Sequence, residues 1–375
     1  MEVPFFDWKS LYAERHPEFL SIIDKTLSKG GFILQQEVED FEFKLAERIG
    51  AKYAIGVSDC TNALLLGLRA SGIQPGDEII LAGHSFIAAA QAIHFVGAIP
   101  VAVDLDESDW LVCPESIEKA ITPRTKAIMP VHVNGRLCQM DRIIEISQKY
   151  GLKVFEDAAQ AMGASMNGIC AGTFGSWGTF SFYPSKTLGC FGDAGALVTN
   201  DKEIYETVLS MRNHGANKEK VIPVETNIWG TNSRLDNVHA AILSYKIDYY
   251  DEVVERRRQI AAQYHEVLNS VISARLPPAP NADPTRFDIY QNYEFCHADR
   301  DALRDFLLSN GIGTIIQWGG LGIHQFKNLG LEQNLPKTDR FFRESILLPL
   351  YHVMTNNQVD YVIEKLNDFF QGNSR

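Results

Sequence analysis

The sequence has no Cys-x-x-Cys pair, and its six cysteines, Cys60, Cys113, Cys138, Cys170, Cys190 and Cys296, are scattered through 375 residues. That spacing suggests neither a zinc knuckle nor a disulfide framework, and it suits a reducing compartment. No stretch approaches the roughly eighteen uninterrupted apolar residues of a membrane span. The opening segment to Phe19 lacks a basic stretch followed by an apolar run, so no secretory signal is expected and the expected location is cytoplasmic. Positive charge is also scarce: 35 Lys and Arg stand against 47 Asp and Glu, a formal net charge of −12. Such a chain repels phosphate backbones. Its one dense basic run, Arg256–Arg258, sits in a predicted helix full of acids, so nucleic-acid binding is not expected. Four sequence signatures are missing as well: G-x-G-x-x-G, G-x-x-x-x-G-K-[ST], H-E-x-x-H and G-x-S-x-G. Their absence argues against nicotinamide dehydrogenases, P-loop NTPases, zinc proteases and serine hydrolases. The ten histidines show no metal-ligand spacing, and no metal is expected.

What is present is an ordinary globular composition, 45% hydrophobic and 22% charged, long enough for one large or two medium domains. From about residue 50 to 200, Val- and Ile-rich strands alternate with helical patterns. Strands are predicted at Tyr53–Val57, Glu78–Leu81, Val101–Val103, Lys126–Val131, Leu152–Phe155 and Trp177–Phe182. Helices are predicted from Thr61 to Arg69, Phe86 to Val96 and Asp141 to Tyr150. This alternation implies right-handed crossovers and a mostly parallel α/β sheet. A long helix is expected from Val238 to about Leu268, broken by Leu276-Pro-Pro-Ala-Pro, with a smaller α+β pattern beyond it. The domain expectation is therefore a large domain over 1–245 and a small one over 246–375.

Three segments carry chemistry. Val154-Phe-Glu-Asp is a hydrophobic strand ending in acids, at the carboxyl end where open α/β sheets bind ligands. An acid there can hold a cationic ring nitrogen, as a pyridoxal phosphate enzyme requires; read alone, Asp157 serves equally well as a helix cap. Ser181-Phe-Tyr-Pro-Ser-Lys follows a strand and sets Lys186 among small and aromatic residues. Burial there lowers the amine pKa and leaves a neutral nucleophile for an aldehyde. A lone lysine in a glycine-rich loop is ordinarily a surface residue; its company with Asp157 favours the functional reading. Ser58-Asp-Cys-Thr-Asn turns from a strand into a helix, whose free amides and nearby hydroxyls make a phosphate seat.

These segments stand within an ordered set: GVSDCTNAL at Gly56–Leu64, PGDEII at Pro75–Ile80, HSFIAAAQAI at His84–Ile93 and TKAIMPVHVNG at Thr125–Gly135. VFEDAAQA, SFYPSKTLGCFGDAGA and NSRLDNVHAAIL at Asn232–Leu243 follow. The chain resembles the DegT/DnrJ/EryC1/StrS family of sugar aminotransferases over essentially its whole length. The resemblance implies the pyridoxal-phosphate-dependent transferase fold type I, with a large domain around a mostly parallel sheet and a smaller C-terminal α+β domain. It implies that Lys186 forms the Schiff base with pyridoxal 5′-phosphate and moves the proton of the reaction. Asp157 would pair with the pyridine nitrogen, Gln160 would bond the ring hydroxyl, and Phe86 would stack on the ring with Ser85 beside it. Cys60, Thr61 and Ser181 would hold the phosphate, helped by Asn232 from a second subunit, so a homodimer with a shared site is implied.

Two departures from the family pattern concern binding. Many members carry Gly-Thr where this chain has Cys60-Thr61, and His-Tyr-Pro where it has Gln317-Trp318-Gly-Gly. The second loop faces substrate in relatives, which makes Gln317 and Trp318 candidate substrate residues. His324 is either a pocket residue or a packed loop histidine. The expected activity is amino transfer from L-glutamate to a nucleotide-linked keto-deoxysugar. Acceptors open to the same chemistry are a cyclitol ketone and a small phosphorylated ketone. A non-catalytic member of the fold is the rival of another class, although nothing but catalysis needs the lysine, the acid and the phosphate seat together.

Overall fold

The structure, a computed structural model, describes residues 1–216, 226 and 228–372. Seven strands form its central sheet: β1 (Tyr53–Val57), β2 (Glu78–Ala82), β3 (Ile99–Val103), β4 (Thr125–Met129), β5 (Lys153–Asp157), and, further along the chain, Trp177–Ser181 and Gly195–Thr199. Between them, Ser165–Met166 (β6) and Ile169–Cys170 (β7) make a small hairpin, so the last two sheet strands are β8 and β9. The spatial order is β1-β9-β8-β5-β4-β2-β3. Only β9 runs against its neighbours; the others are mutually parallel.

Alternation along each strand divides the core in two. Ile79 and Leu81 face one side, with Leu64 and Leu68 of α4 (Cys60–Ala70), Ile93 of α5 (Ile87–Phe95) and Val208 of a later helix. Ile80 and Ala82 face the other. That side is covered by a helix over Gln36–Ile49, by α6 (Pro114–Ala120) and by α7 (Met140–Tyr150). Burial on both faces explains why these strands read as unbroken apolar runs. The helices before β1 are α1 (Trp8–Ala13), α2 (His16–Ser28) and α3 (Gln36–Ile49), and α8 is Lys202–Met211.

The expected long helix is two. α9 (Asn237–Asp248) and α10 (Tyr250–Leu268) meet at Tyr249, whose φ of −117° is outside the helical range. The break lets α9 lie along α2 and α3 while α10 turns toward the C-terminal helix. Arg15 stacks over the Tyr249 ring at 4.0 Å and holds the corner. A third core joins Tyr264 and Leu268 of α10 to α11 (Arg300–Ser309) and to the terminal helix over Asn356–Gly372. It also holds the antiparallel pair Tyr293–Cys296 and Ser345–Leu348, and Val3 from the N-terminal segment. With Arg286–Phe287 as β10, that pair is β11 and β12; Pro336–Glu344 is α12 and the terminal helix α13.

Candidate active site

The site lies at the carboxyl ends of β1, β5 and β8, where α4 begins. Asp59 caps α4, its carboxylate accepting the Asn62 N–H at 2.8 Å. Neither the Cys60 nor the Thr61 N–H has an acceptor among the described residues. Two free donors at a helix N-terminus, both half-buried, are a seat for an anion. Gly195 opens β9 and pairs with Val57 and with Ser181, which places all three in one row. A Cβ on Gly195 would lie 2.4 Å from the Asp59 carbonyl carbon and 2.6 Å from the Cys60 nitrogen. The α4 turn thus rests directly on the glycine backbone, with Ser181 on the adjacent strand. Gly195→Ala forces this turn to move, and overpacking of this kind costs about 1–3 kcal/mol. A fluorescence titration of the variant should show pyridoxal phosphate bound about tenfold more weakly.

Asp157 ends β5 and is buried. Its Oδ1 accepts the Ala159 N–H at 3.1 Å, while its backbone is locked to Pro130 and His132. Burial raises its carboxyl pKa, opposed by the Ala159 bond and by the charges of Lys186 and His132. Lys186 sits in the loop after β8, its N–H donating to the Tyr183 carbonyl at 2.8 Å. Burial holds its amine below the ordinary lysine value, and attraction to Cys60 and Asp157 opposes that shift. The Cys60 thiol responds to both partners as well, and burial pushes its pKa upward. Lys186, Asp157 and the helix N-terminus therefore form one electrostatic cluster. It opens into a cleft of about 200 Å³ whose lining includes Gln160, Lys186, Gln317 and Trp318.

The orientation of Gln160 follows from its partner. Its Oε1 accepts the Asn134 N–H at 2.7 Å, so its NH₂ group is left to donate elsewhere. Asn134 adopts φ +60°, a conformation that asparagine tolerates better than most residues. From there its side chain donates to Glu294 at 2.6 Å and accepts from Asn292 at 2.8 Å and from Gln317 at 3.3 Å. Burial pushes the Glu294 carboxyl up to about 7. His84, 4.0 Å from it, is lowered to about 4, chiefly by burial.

Phe86 caps α5 and keeps 52% of its surface exposed, with the hydroxyl of buried Ser85 donating to its carbonyl at 3.1 Å. Trp318 also has positive φ, and its ring centroid lies 6.2 Å from that of Phe86. The two residues from the departing loop, Gln317 and Trp318, both line the cleft that Lys186 opens into. His324 does not. It is buried, donates from Nε2 to the Asp339 carboxylate at 2.9 Å, and lines neither cleft that reaches Lys186. Asn232 is exposed, paired with Asn213 in a short bridge. Its neighbour Ser233 meets Ser58 at 2.9 Å.

Residues 14–367 match the profile of the DegT/DnrJ/EryC1/StrS aminotransferase family. The chain belongs to that family. Among its relatives, a dTDP-3-amino-3,6-dideoxy-alpha-D-galactopyranose transaminase of Aneurinibacillus thermoaerophilus is 38% identical, over 98% of this chain and 99% of the relative. A pleiotropic regulatory protein of Geobacillus stearothermophilus is 36% identical, over 99% of each. The crystal structure of S. venezuelae DesV in complex with a ketimine intermediate superposes with a TM-score of 0.93 at 36% identity, covering 99% of both chains. DegT/DnrJ/EryC1/StrS aminotransferases use pyridoxal phosphate, and the residues here suit it. The open amides and Gly195 cradle fit the phosphate, and the buried carboxylate fits a cationic ring nitrogen. The directed Gln160 amide fits the ring hydroxyl, and the free Phe86 face fits the ring itself. Asn134 and Gly195 lie within the ordered motifs, but nothing in the resemblance assigns them a role. The Asn-Gly turn and the lone glycine opening Gly195-Ala-Leu-Val were their available signals.

Proposed function

We propose that this aminotransferase moves an amino group from L-glutamate to a nucleotide-linked keto-deoxysugar in two half-reactions. The observation that carries the chemistry is that Lys186 lines the cleft while buried Asp157, near enough for each charge to act on the other, stands behind it beside an open helix N-terminus. Pyridoxal phosphate supplies an aldehyde for amine exchange and a ring that withdraws electrons from the carbon being deprotonated. The amides of Cys60 and Thr61, with the Thr61 and Ser181 hydroxyls, hold the phosphate. Asp157 keeps the ring nitrogen protonated; the new cation offsets the cost of burying its carboxylate. Gln160 donates to the ring hydroxyl and Phe86 covers the ring face. Lys186, whose amine burial makes easier to deprotonate, would take the proton from the substrate carbon and return it at C4′ of the cofactor. Gln317 and Trp318 border the space where the sugar would stand.

The nucleotide-linked acceptor is supported by the dTDP-sugar transaminase at 38% identity. Glutamate supplied with dTDP- and UDP-keto-sugars, a cyclitol ketone and a small phosphorylated ketone tests it. Aminated nucleotide sugar with an equal yield of 2-oxoglutarate is the expected result; turnover of only the other ketones would replace this acceptor. The relative named as a regulatory protein gives a second reading, a binding role on the same fold, which predicts no turnover of any ketone.

We further propose a two-fold dimer in which Asn232 of one chain completes the phosphate seat of the other. Lys186→Ala and Asn232→Ala are then each impaired alone. After unfolding and refolding together, half of the dimers are mixed and each has one intact site, which restores about a quarter of wild-type activity. Absence of complementation would place Asn232 in its own chain's site or in none.

A further inference from the structure

Gln291 is buried in the short segment that follows β10, far from Lys186 in sequence. Its side-chain amide spans Lys186. Oε1 accepts the Thr187 N–H at 2.7 Å and the Thr187 hydroxyl at 2.8 Å, and Nε2 donates to the Ser185 carbonyl at 2.9 Å. The amide orientation is forced, since a backbone N–H only donates and a carbonyl only accepts. Both peptide planes adjoining the Lys186 Cα are thereby fixed by one planar group. The clamp is itself braced: Arg257, buried in α10, donates to the carbonyls of Tyr290 at 2.9 Å and Gln291 at 2.5 Å. Ile289 donates to the Gly135 carbonyl at 3.0 Å, and Tyr290 between them is held at φ +51°. A non-glycine residue stays in that region only where its surroundings impose it.

We propose that Gln291 is a positioning residue that fixes the backbone on both sides of Lys186 and so aims its amine into the cofactor cleft. Its amide is committed to Ser185 and Thr187, while the residue also borders the cleft that holds Lys186, Gln317 and Trp318. This rests on the reading of Lys186 as the lysine that bonds the cofactor, and the experiment separates the two.

The first-order rate of covalent attachment is measured at saturating pyridoxal phosphate, with borohydride trapping and peptide mass analysis, while non-covalent binding is followed by cofactor fluorescence. In the wild type the label should fall on Lys186; a label elsewhere overturns the underlying reading. In Gln291→Leu, which keeps the volume but neither donates nor accepts, attachment should slow about 10- to 100-fold, since a misplacement near 1 Å has that effect. Binding should stay within about twofold, because the phosphate seat is untouched. An unchanged attachment rate overturns the clamp, as does a loss confined to binding.

Gln291→Glu gives a second arm if the leucine variant does not fold. Its carboxylate still accepts from Thr187 but repels the Ser185 carbonyl, and only the protonated form donates to it. Attachment relative to wild type should therefore recover as pH falls through the raised pKa of a buried carboxyl. A ratio independent of pH overturns the proposal.

Discussion

Lys186→Ala should lower turnover by at least about a million-fold, the scale of the loss when a covalent catalytic residue is removed, and should leave no trappable cofactor on the protein. The fold should survive. Lys186 contributes its backbone N–H to a local turn, which alanine retains, and its side chain is held by burial and by attraction to Asp157 and Cys60. Removing an amine whose charge is disfavoured by burial costs little, so the thermal midpoint should stay within a few degrees of wild type. Non-covalent cofactor should still bind, because the amides of Cys60 and Thr61 and the Gln160 amide remain. Added alkylamines should restore a small fraction of activity, since only the amine is missing. Circular dichroism, mass analysis after borohydride and glutamate turnover check these points. Turnover near wild type would remove Lys186 from the mechanism.

Asp157→Asn should reduce turnover about 10²- to 10³-fold, the usual effect of removing one preorganised electrostatic contact. The amide keeps the shape and can still accept from Ala159, but it cannot hold a protonated ring nitrogen. The same change should stabilise the cofactor-free protein, with a sign fixed by the direction of the pKa shift. Burial raises the folded carboxyl pKa above its unfolded value of about 4. Below the unfolded value both states are protonated and the carboxyl is neutral toward stability. As pH rises above it, the unfolded chain loses its proton first, and the wild type is destabilised up to the raised folded pKa. The thermal midpoint of cofactor-free Asp157→Asn should therefore exceed that of wild type at neutral pH, with the difference closing near pH 4. Saturating cofactor should narrow the gap, because it offers the wild-type carboxylate a cation. A variant less stable than wild type at pH 7 would show that the carboxylate is already paid for by protein partners.

Much of this arrangement is legible in the sequence, for reasons that are local. Tyr53–Val57 reads as a strand at both ends because the apolar run stops at Ser58-Asp59, where the helix cap begins. Asp157 and Lys186 stand out because a strand ending in an acid, and a lysine among small residues after a strand, have few bland explanations. Long-range geometry is less visible. The helix over Val238–Leu268 keeps its apolar period straight through Tyr249, and only the Arg15 stack, more than 230 residues away, marks the corner. β9 is hard to see in sequence, since Gly195–Thr199 is a short apolar run whose antiparallel direction is set by its neighbours. The link from Gln160 through Asn134 to Gln317 depends on one residue at positive φ, and no periodicity announces it. His324 sits in a suggestive sequence context, yet its place is settled by Asp339 and by Gly83 and Gly322 packed against its ring.

The most direct test of the whole account is the absorption spectrum of the purified protein with pyridoxal phosphate, recorded before and after L-glutamate. A band from cofactor joined to Lys186, its loss on adding glutamate, and one equivalent of 2-oxoglutarate per site are expected. A protein that forms no such band, or whose band persists with every amino acid supplied, would contradict it.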